Sequence, residues 1–362
     1  MHVIIITPEV GLELDVRGFI HGWISELAAQ VEHVTVVALR LGKLQLPSNV
    51  EAYSLGHEGA RLKTALRLVP IFWRIRKQRR IDLIFVHMMP KFAVLVGPVA
   101  WIFRAPIVLW YAHGAVGWPL RAAQYLVDVL VTPSPESCRI SSPKVRVIGH
   151  GVDPELFQPA ERHRESGKEA QRLLSIGRIS PSKDYATVLR CLPALVREFP
   201  GLSYEIVGSP TEGFARDIRF AQDLRVTIRD LGIGALVRMT GSIPNGDVVR
   251  RYQSSDIFIN PSLTGSLDKT GLEAMLCGIP TLSCNKSYMS LFGEYADLLY
   301  FEPGDTDGLS RRLVKLMRMP ADSVTAMGIA LRQRVKDNHS LPILMRRLSA
   351  IFNESARRTV SL

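Results

Sequence analysis

Short, unbroken apolar runs alternate along most of this chain with stretches whose apolar residues recur every three or four positions. In the first half the runs are "HVIIIT", "VTVVAL", "DLIFVH" and "PIVLWYAHG", with helical patterns around "GFIHGWISELAAQ", over 61–80 and over 92–103 between them. Runs near "DVLVT" and "VRVIGHG" close that series. Apolar residues at every position, rather than every second one, mark strands covered on both faces, and helices between such strands mark parallel pairing. The polar stretch 153–171, with Pro154 and Pro159, reads as a linker. After it the alternation restarts: "RLLSIGRI", a helix over 183–198, "LSYEIVGS", "LVRMTGSIP", a helix near 248–253, "DIFINPS", a helix in "GLEAMLCGIP", and "PTLSC". The pattern predicts an α/β protein of two doubly wound Rossmann-like domains, 1–160 and 161–340, facing across a cleft. The segment "HSLPILMRRLSAIF" predicts a final amphipathic helix at about 341–356.

Length agrees with that division, since 362 residues at roughly 150 per domain make two. The start "MHVIIITPEV" has no basic region ahead of its apolar run and reads as a first strand rather than an export signal, which leads to the expectation of a cytoplasmic protein. Cys138, Cys191, Cys277 and Cys284 show neither a C-x-x-C pair nor a zinc-like spacing to histidine, so reduced thiols are expected. The apolar run 92–103 is shorter than the ~20 residues of a spanning helix and contains Pro98, so it reads as a buried or interfacial helix.

The net charge is +11, and the segment 61–80 carries eight Lys and Arg and no acid, with Leu62, Leu66, Val69 and Trp73 at helical spacing. Such a segment, with Phe72 and Trp73 as anchors, is expected to contact an anionic membrane surface from the inner face. Nucleic acid is not expected as a partner, because no binding motif and no interleaved aromatic platform accompany the charge.

Open α/β sheets bind ligands beyond the carboxyl ends of their strands. In "SIGRISPSKDY", Gly177 starts a loop that carries Arg178 and Lys183 into a helix, and two cations beside helix-start N–H groups suit a diphosphate. In "SLTGSLDKTGLEAMLCGIP" a second helix start brings Asp268, Lys269, Thr270 and Gly271 together with Glu273. Its backbone and Lys269 suit phosphate oxygens, and the Glu273 carboxylate suits the paired hydroxyls of a ribose. Gly208 ends a neighbouring strand in "YEIVGS". The "DTD" at 305–307 reads as a turn and helix start, and no metal is assigned to it. Neither a Walker loop nor a dinucleotide G-x-G-x-x-G is present.

These loops, with "VIGHGVDPELFQP", "SIGRISPSKDYATVL", "YEIVGS", "TGSIPNGDV", "INPS" and "GLEAMLCGIP" in this order, resemble the retaining glycosyltransferases of family 4, with the GT-B fold. The resemblance spans nearly the whole chain and is strongest over 147–280. It implies a donor that is a nucleotide diphosphate sugar, UDP- or GDP-linked, used without cofactor or metal; the basic segment lies in the first domain, where this fold places its acceptor, and points to a glycan or lipid-linked acceptor. The resemblance further implies that Arg178 and Lys183 hold the diphosphate, that Glu273 holds the ribose, and that His113 in "YAHG" lies beside the donor sugar. In the GT-B fold a final helix often crosses back to the first domain.

Two stretches depart from the family. Its usual pair of glutamates has seven residues between them, and the place of the first is taken here by Gly265. Asp268 or backbone groups then take over its role, or the protein is a catalytically weak relative. The loop "EVGLELDVRGFIHGW" also separates Gly11 from Gly18, where the family often has adjacent glycines. Beside the transferase stand two other readings: a sugar-nucleotide epimerase of related fold, and an inactive, membrane-associated nucleotide-sugar-binding subunit.

Overall fold

The computed structural model describes residues 1–12, 19–56, 61–160 and 171–360. The chain divides into two compact units, Met1–Gly151 with Leu341–Leu362, and Val152–Ser340.

The first unit runs β1 (His2–Val10), α1 (Phe19–Ala28), β2 (His33–Leu41), β3 (Val50–Ser54), α2 (Arg61–Gln78), β4 (Leu83–His87), α3 (Pro90–Phe103), β5 (Ile107–Trp110), α4 (Trp118–Leu126), β6 (Val129–Thr132) and β7 (Val145–Val147). Among the described residues these strands form one sheet in the order β3-β2-β1-β4-β5-β6-β7, with all neighbours parallel. The pleat distributes each apolar run over two cores. Val3 and Ile5 of β1 face a cluster that includes Ile20, Trp23 and Ile24, whereas Ile4 and Ile6 face one built on Leu68, Phe72, Phe92 and Val96.

The apolar stripe of α2 differs from the expected one. Leu68, Phe72 and Ile75 are buried against the sheet, while Val69 and Trp73 are exposed. Leu68, Phe72 and Ile75 recur at i, i+4 and i+7, a second helical stripe in the same segment, and this is the one packed on the sheet. Phe72 is therefore a core residue and not a membrane anchor. The side chains of Leu62 and Leu66 lie outside the described residues, as do residues 13–18 of the first loop and 161–170 of the expected linker.

The second unit runs β8 (Arg172–Ile176), α5 (Tyr185–Glu198), β9 (Ser203–Val207), α6 (Ala215–Asp230), β10 (Val237–Gly241), α7 (Asn245–Ser254), β11 (Ile257–Asn260), α8 (Lys269–Leu276), β12 (Thr281–Ser283), the short α9 (Met289–Phe292) and α10 (Ala296–Leu299), α11 (Thr306–Met317) and α12 (Ala321–His339). Among the described residues its sheet has the order β10-β9-β8-β11-β12, again all parallel. The winding reverses between β8 and β11, the place in an open α/β sheet where ligands bind beyond the strand ends.

The division falls at Gly151/Val152 rather than at 160/161. Val152 N–H donates to the His339 carbonyl (2.9 Å), and Phe157 is buried in the second core. Arg332 of α12 donates to the carbonyls of Phe157 and Pro154, so the start of the expected linker is tied to the second unit. The last helix, α13 (Leu341–Val360), belongs to the first unit. Its Leu344, Met345, Leu348 and Phe352 are buried in the cluster of Val3 and Ile5.

Candidate nucleotide-sugar site

The candidate residues of the second unit collect at the β8/β11 reversal because two loops are laced together there. Lys183 and Ser262 form an antiparallel bridge, Asp184 N–H donates to the Pro261 carbonyl (3.0 Å), and Leu263 N–H donates to the Ser182 carbonyl (2.9 Å). Asp184 also caps α5 by accepting from Thr187. Lys183 itself precedes the helix, so its side chain is set by the lacing and not by helical geometry.

Its ammonium has two partners on the other loop. Lys183 Nζ lies 2.9 Å from Asp268 Oδ2 and donates to Ser262 Oγ at 3.1 Å. Both charged side chains are largely withdrawn from water, at 13% and 20% exposure, and an ion pair so desolvated has a fixed geometry where a surface pair does not. Asn260 Nδ2 donates to the same Asp268 oxygen (3.3 Å) and to the Tyr288 hydroxyl (3.1 Å), which in turn donates to the Asp268 carbonyl. Asp268 thus links Lys183 to the start of α8. Its side chain, engaged in this way, makes no capping bond to that helix although it stands at the N-cap position.

On α8 the Thr270 hydroxyl is buried and has no hydrogen-bond partner among the described residues. A buried hydroxyl without a partner costs free energy that a bound polar group would recover. Gly271 packs against Tyr288, and a Cβ there would lie 2.4 Å from the tyrosine hydroxyl, which explains a glycine inside a short helix. Lys269 and Glu273, one turn apart, share a face. Burial pulls the Lys269 ammonium down to about 7, opposed by the nearby Glu273 charge, and burial raises Glu273, opposed by the Tyr252 hydroxyl and by Lys269. Tyr252 of α7 donates to Glu273 Oε2 at 2.8 Å, leaving the other carboxylate oxygen for a second partner.

The glycines serve a close approach of two strand ends. Gly208 has φ +143°, its N–H donates to the Gly241 carbonyl (2.9 Å), and a Cβ on it would sit 2.0 Å from the Gly177 carbonyl oxygen. Only glycine fits there. The Gly177 carbonyl also accepts from the Tyr185 hydroxyl at 3.1 Å, and Arg178, next in the chain, is exposed.

Gly265 has φ +70°, the left-handed region. A glutamate in that conformation would be strained. His113 belongs to the first unit, where its Nδ1 accepts from Ala115 N–H at 3.1 Å and the Tyr111 hydroxyl donates to the Ala115 carbonyl at 2.6 Å. The sequence reading singled out the stretch of Asn260 and Ser262 without giving either a role, and it missed Tyr252 and Tyr288. Asn260 and Ser262 carried a signal, polar residues closing the apolar run "IFIN". Tyr252 and Tyr288 carried none, since each reaches α8 from another element. At 305–307 the expected turn is present, with Asp305 accepting from Gly308 N–H at 2.8 Å to cap α11.

Similar proteins extend this geometry. A D-inositol 3-phosphate glycosyltransferase of Saccharomonospora viridis is 33% identical over 148 residues, 38% of this chain and 34% of the relative. The amylovoran biosynthesis glycosyltransferase AmsK of Erwinia amylovora is 26% identical over 220 residues, 59% of this chain and 51% of the relative. The chain thus spans between a third and about half the length of these curated relatives. Among solved structures, HepE of Anabaena in complex with UDP and glucose superposes with a TM-score of 0.76 at 14% identity, over 98% of this chain and 100% of that one. A likeness at such identity establishes the fold, GT-B, which agrees with the two parallel-sheet Rossmann-like units. The family model described as glycosyl transferases group 1 matches residues 158–338, half of the chain, and the protein belongs to that family.

Proposed function

We propose that the protein transfers a sugar from a UDP- or GDP-linked donor to a hydroxyl of a glycan or lipid-linked acceptor, with retention of the anomeric configuration. The observation that carries this reading is the Lys183 ammonium, fixed between Asp268 and Ser262 at the sheet's reversal and adjoining the start of α8. The diphosphate lies against Lys183, Arg178 and the first turn of α8, with the Thr270 hydroxyl as a further donor. Glu273 accepts from the ribose hydroxyls through its second oxygen. The names of the curated relatives and the UDP and glucose of the HepE complex support this donor class and a role in polysaccharide or glycoconjugate synthesis.

As the bond between the anomeric carbon and the phosphate oxygen breaks, negative charge grows on that oxygen, and the Lys183 and Arg178 cations and the helix start stabilise it. The acceptor oxygen bonds to the same face of the anomeric carbon, and its proton passes to the departing phosphate. Asp268 is a positioning residue in this scheme, holding Lys183. Because Lys183, Arg178 and the helix start meet the charge without a metal, turnover is expected to persist in EDTA. NMR of the product is expected to give the donor's anomeric configuration, and inversion would overturn this mechanism.

The Lys269 ammonium adds a pH dependence. Depressed by burial, it loses its proton as pH rises through about 7, so an anionic ligand binds less tightly on the alkaline side. UDP affinity measured by calorimetry is expected to fall as pH rises from about 6 to about 8.5, and to fall less in Lys269→Met. Parallel pH profiles for the two proteins would remove Lys269 from the phosphate contacts.

A further inference from the structure

We propose that the outward faces of α2, α3 and α4 form one surface that docks the protein on an anionic lipid bilayer, with aromatic side chains at headgroup depth. This surface lies wholly in the first unit and does not depend on the donor reading. The three helices cover the same face of the sheet. Trp73 of α2 meets Phe103 of α3 edge to face at 5.2 Å, and Leu126 of α4 packs on Gly97 of α3, where a Cβ would approach it to 3.2 Å.

Each helix buries one stripe and turns unusual side chains outward. From α3 Trp101 is 83% exposed, with Ile102 beside it; from α4 Tyr125 is 79% exposed and Trp118 65%; from α2 Trp73 is half exposed. Isolated exposed apolar residues are normal, but five large ones on three packed helices, three of them tryptophans, are a patch. Tryptophan and tyrosine are the residues that settle at a membrane–water interface.

Charge selects the occupant. None of the three helices contains an Asp or Glu, and the only acid over 61–126 is Asp82, against eleven Lys and Arg. Nearly all of the chain's net +11 therefore belongs to this stretch. Arg76, Lys77 and Arg80 are exposed at one end of α2, and Arg104 and Arg121 flank the aromatics of α3 and α4. Cations around an aromatic patch complement an anionic leaflet, and the docking surface is this triple-helix face rather than α2 alone. Among the described residues no helix is long and apolar enough to cross a membrane, which is consistent with docking in the plane of the interface.

The test is flotation of the full chain with phosphatidylcholine vesicles and with vesicles that also contain phosphatidylglycerol. Partitioning onto the mixed vesicles is expected to exceed that onto pure phosphatidylcholine at least about tenfold, and to drop by a similar factor in Arg76→Glu/Lys77→Glu. Trp101→Ser/Tyr125→Ser, at positions too exposed to affect folding, is expected to lose binding without a change in melting temperature. Brominated lipids are expected to quench wild-type tryptophan emission more than that of Trp101→Ser. Equal retention on both vesicles, or variants that float like the wild type, would overturn the proposal. Self-association abolished by the same aromatic variants, with no flotation, would assign the face to a second copy of the chain instead.

Discussion

Lys183→Ala is expected to lower turnover with a nucleotide sugar by at least ~10²-fold, the usual cost of removing one preorganised group that meets developing charge. The effect is large because the lysine is already in place. Its ammonium is held by Asp268 and Ser262, so little reorganisation is needed as the leaving phosphate gains charge. Removing it also strips Asp268 of its cation and leaves a largely buried carboxylate held by the Asn260 amide. Some loss of stability is therefore expected alongside the loss of rate. The double variant Lys183→Ala/Asp268→Ala separates the two: the melting temperature recovers while turnover stays low. Asp268→Asn, which keeps the shape but drops the ion pair, is expected to slow turnover less than Lys183→Ala. Near-normal rates in Lys183→Ala would remove the diphosphate from this loop.

Phe352→Ala is expected to cost about 3–5 kcal/mol, the range for deleting a buried aromatic ring. Phe352 comes from α13, the last helix, yet lies fully buried in the first unit with its ring 5.4 Å from that of Phe85 on β4. Leu344, Met345 and Leu348 line the same buried face, one turn after another. The melting temperature of the first unit should fall by roughly 6–20 °C, on a sensitivity of about 2–4 °C per kcal/mol for a unit of this size. Ending the chain at Ser340 removes all four side chains and uncovers Val3 and Ile5 of β1, so a larger loss is expected. An unchanged melting temperature in either variant would contradict the position of α13.

Continuous apolar runs such as "HVIIIT" and "DIFINPS" made the parallel strands legible, because a strand covered on both faces needs apolar residues at successive positions. The loops after β8 and β11 could be singled out as candidates for a related reason: glycine and cation patterns at strand ends are local. Where two periodicities overlapped, the reading failed. In α2 the stripes through Leu68 and through Val69 both suit a helix, and only the sheet's position chooses between them. Partnerships formed across the fold were also invisible. No spacing announces that Tyr252 will reach Glu273 or that Tyr288 will hold the Asp268 carbonyl. The substitution at Gly265 was visible as a missing glutamate, but its physical content, a left-handed backbone, required coordinates.

In the proposed function α8 and the loop after β8 receive a nucleotide diphosphate sugar. Thermal stabilisation and slow hydrolysis should be measured across a panel of UDP- and GDP-linked sugars, with the wild type and Glu273→Ala. One donor is expected to stabilise and to be hydrolysed by the wild type, with both effects greatly reduced in Glu273→Ala. No response of the wild type to any donor would contradict the account and favour an inactive subunit.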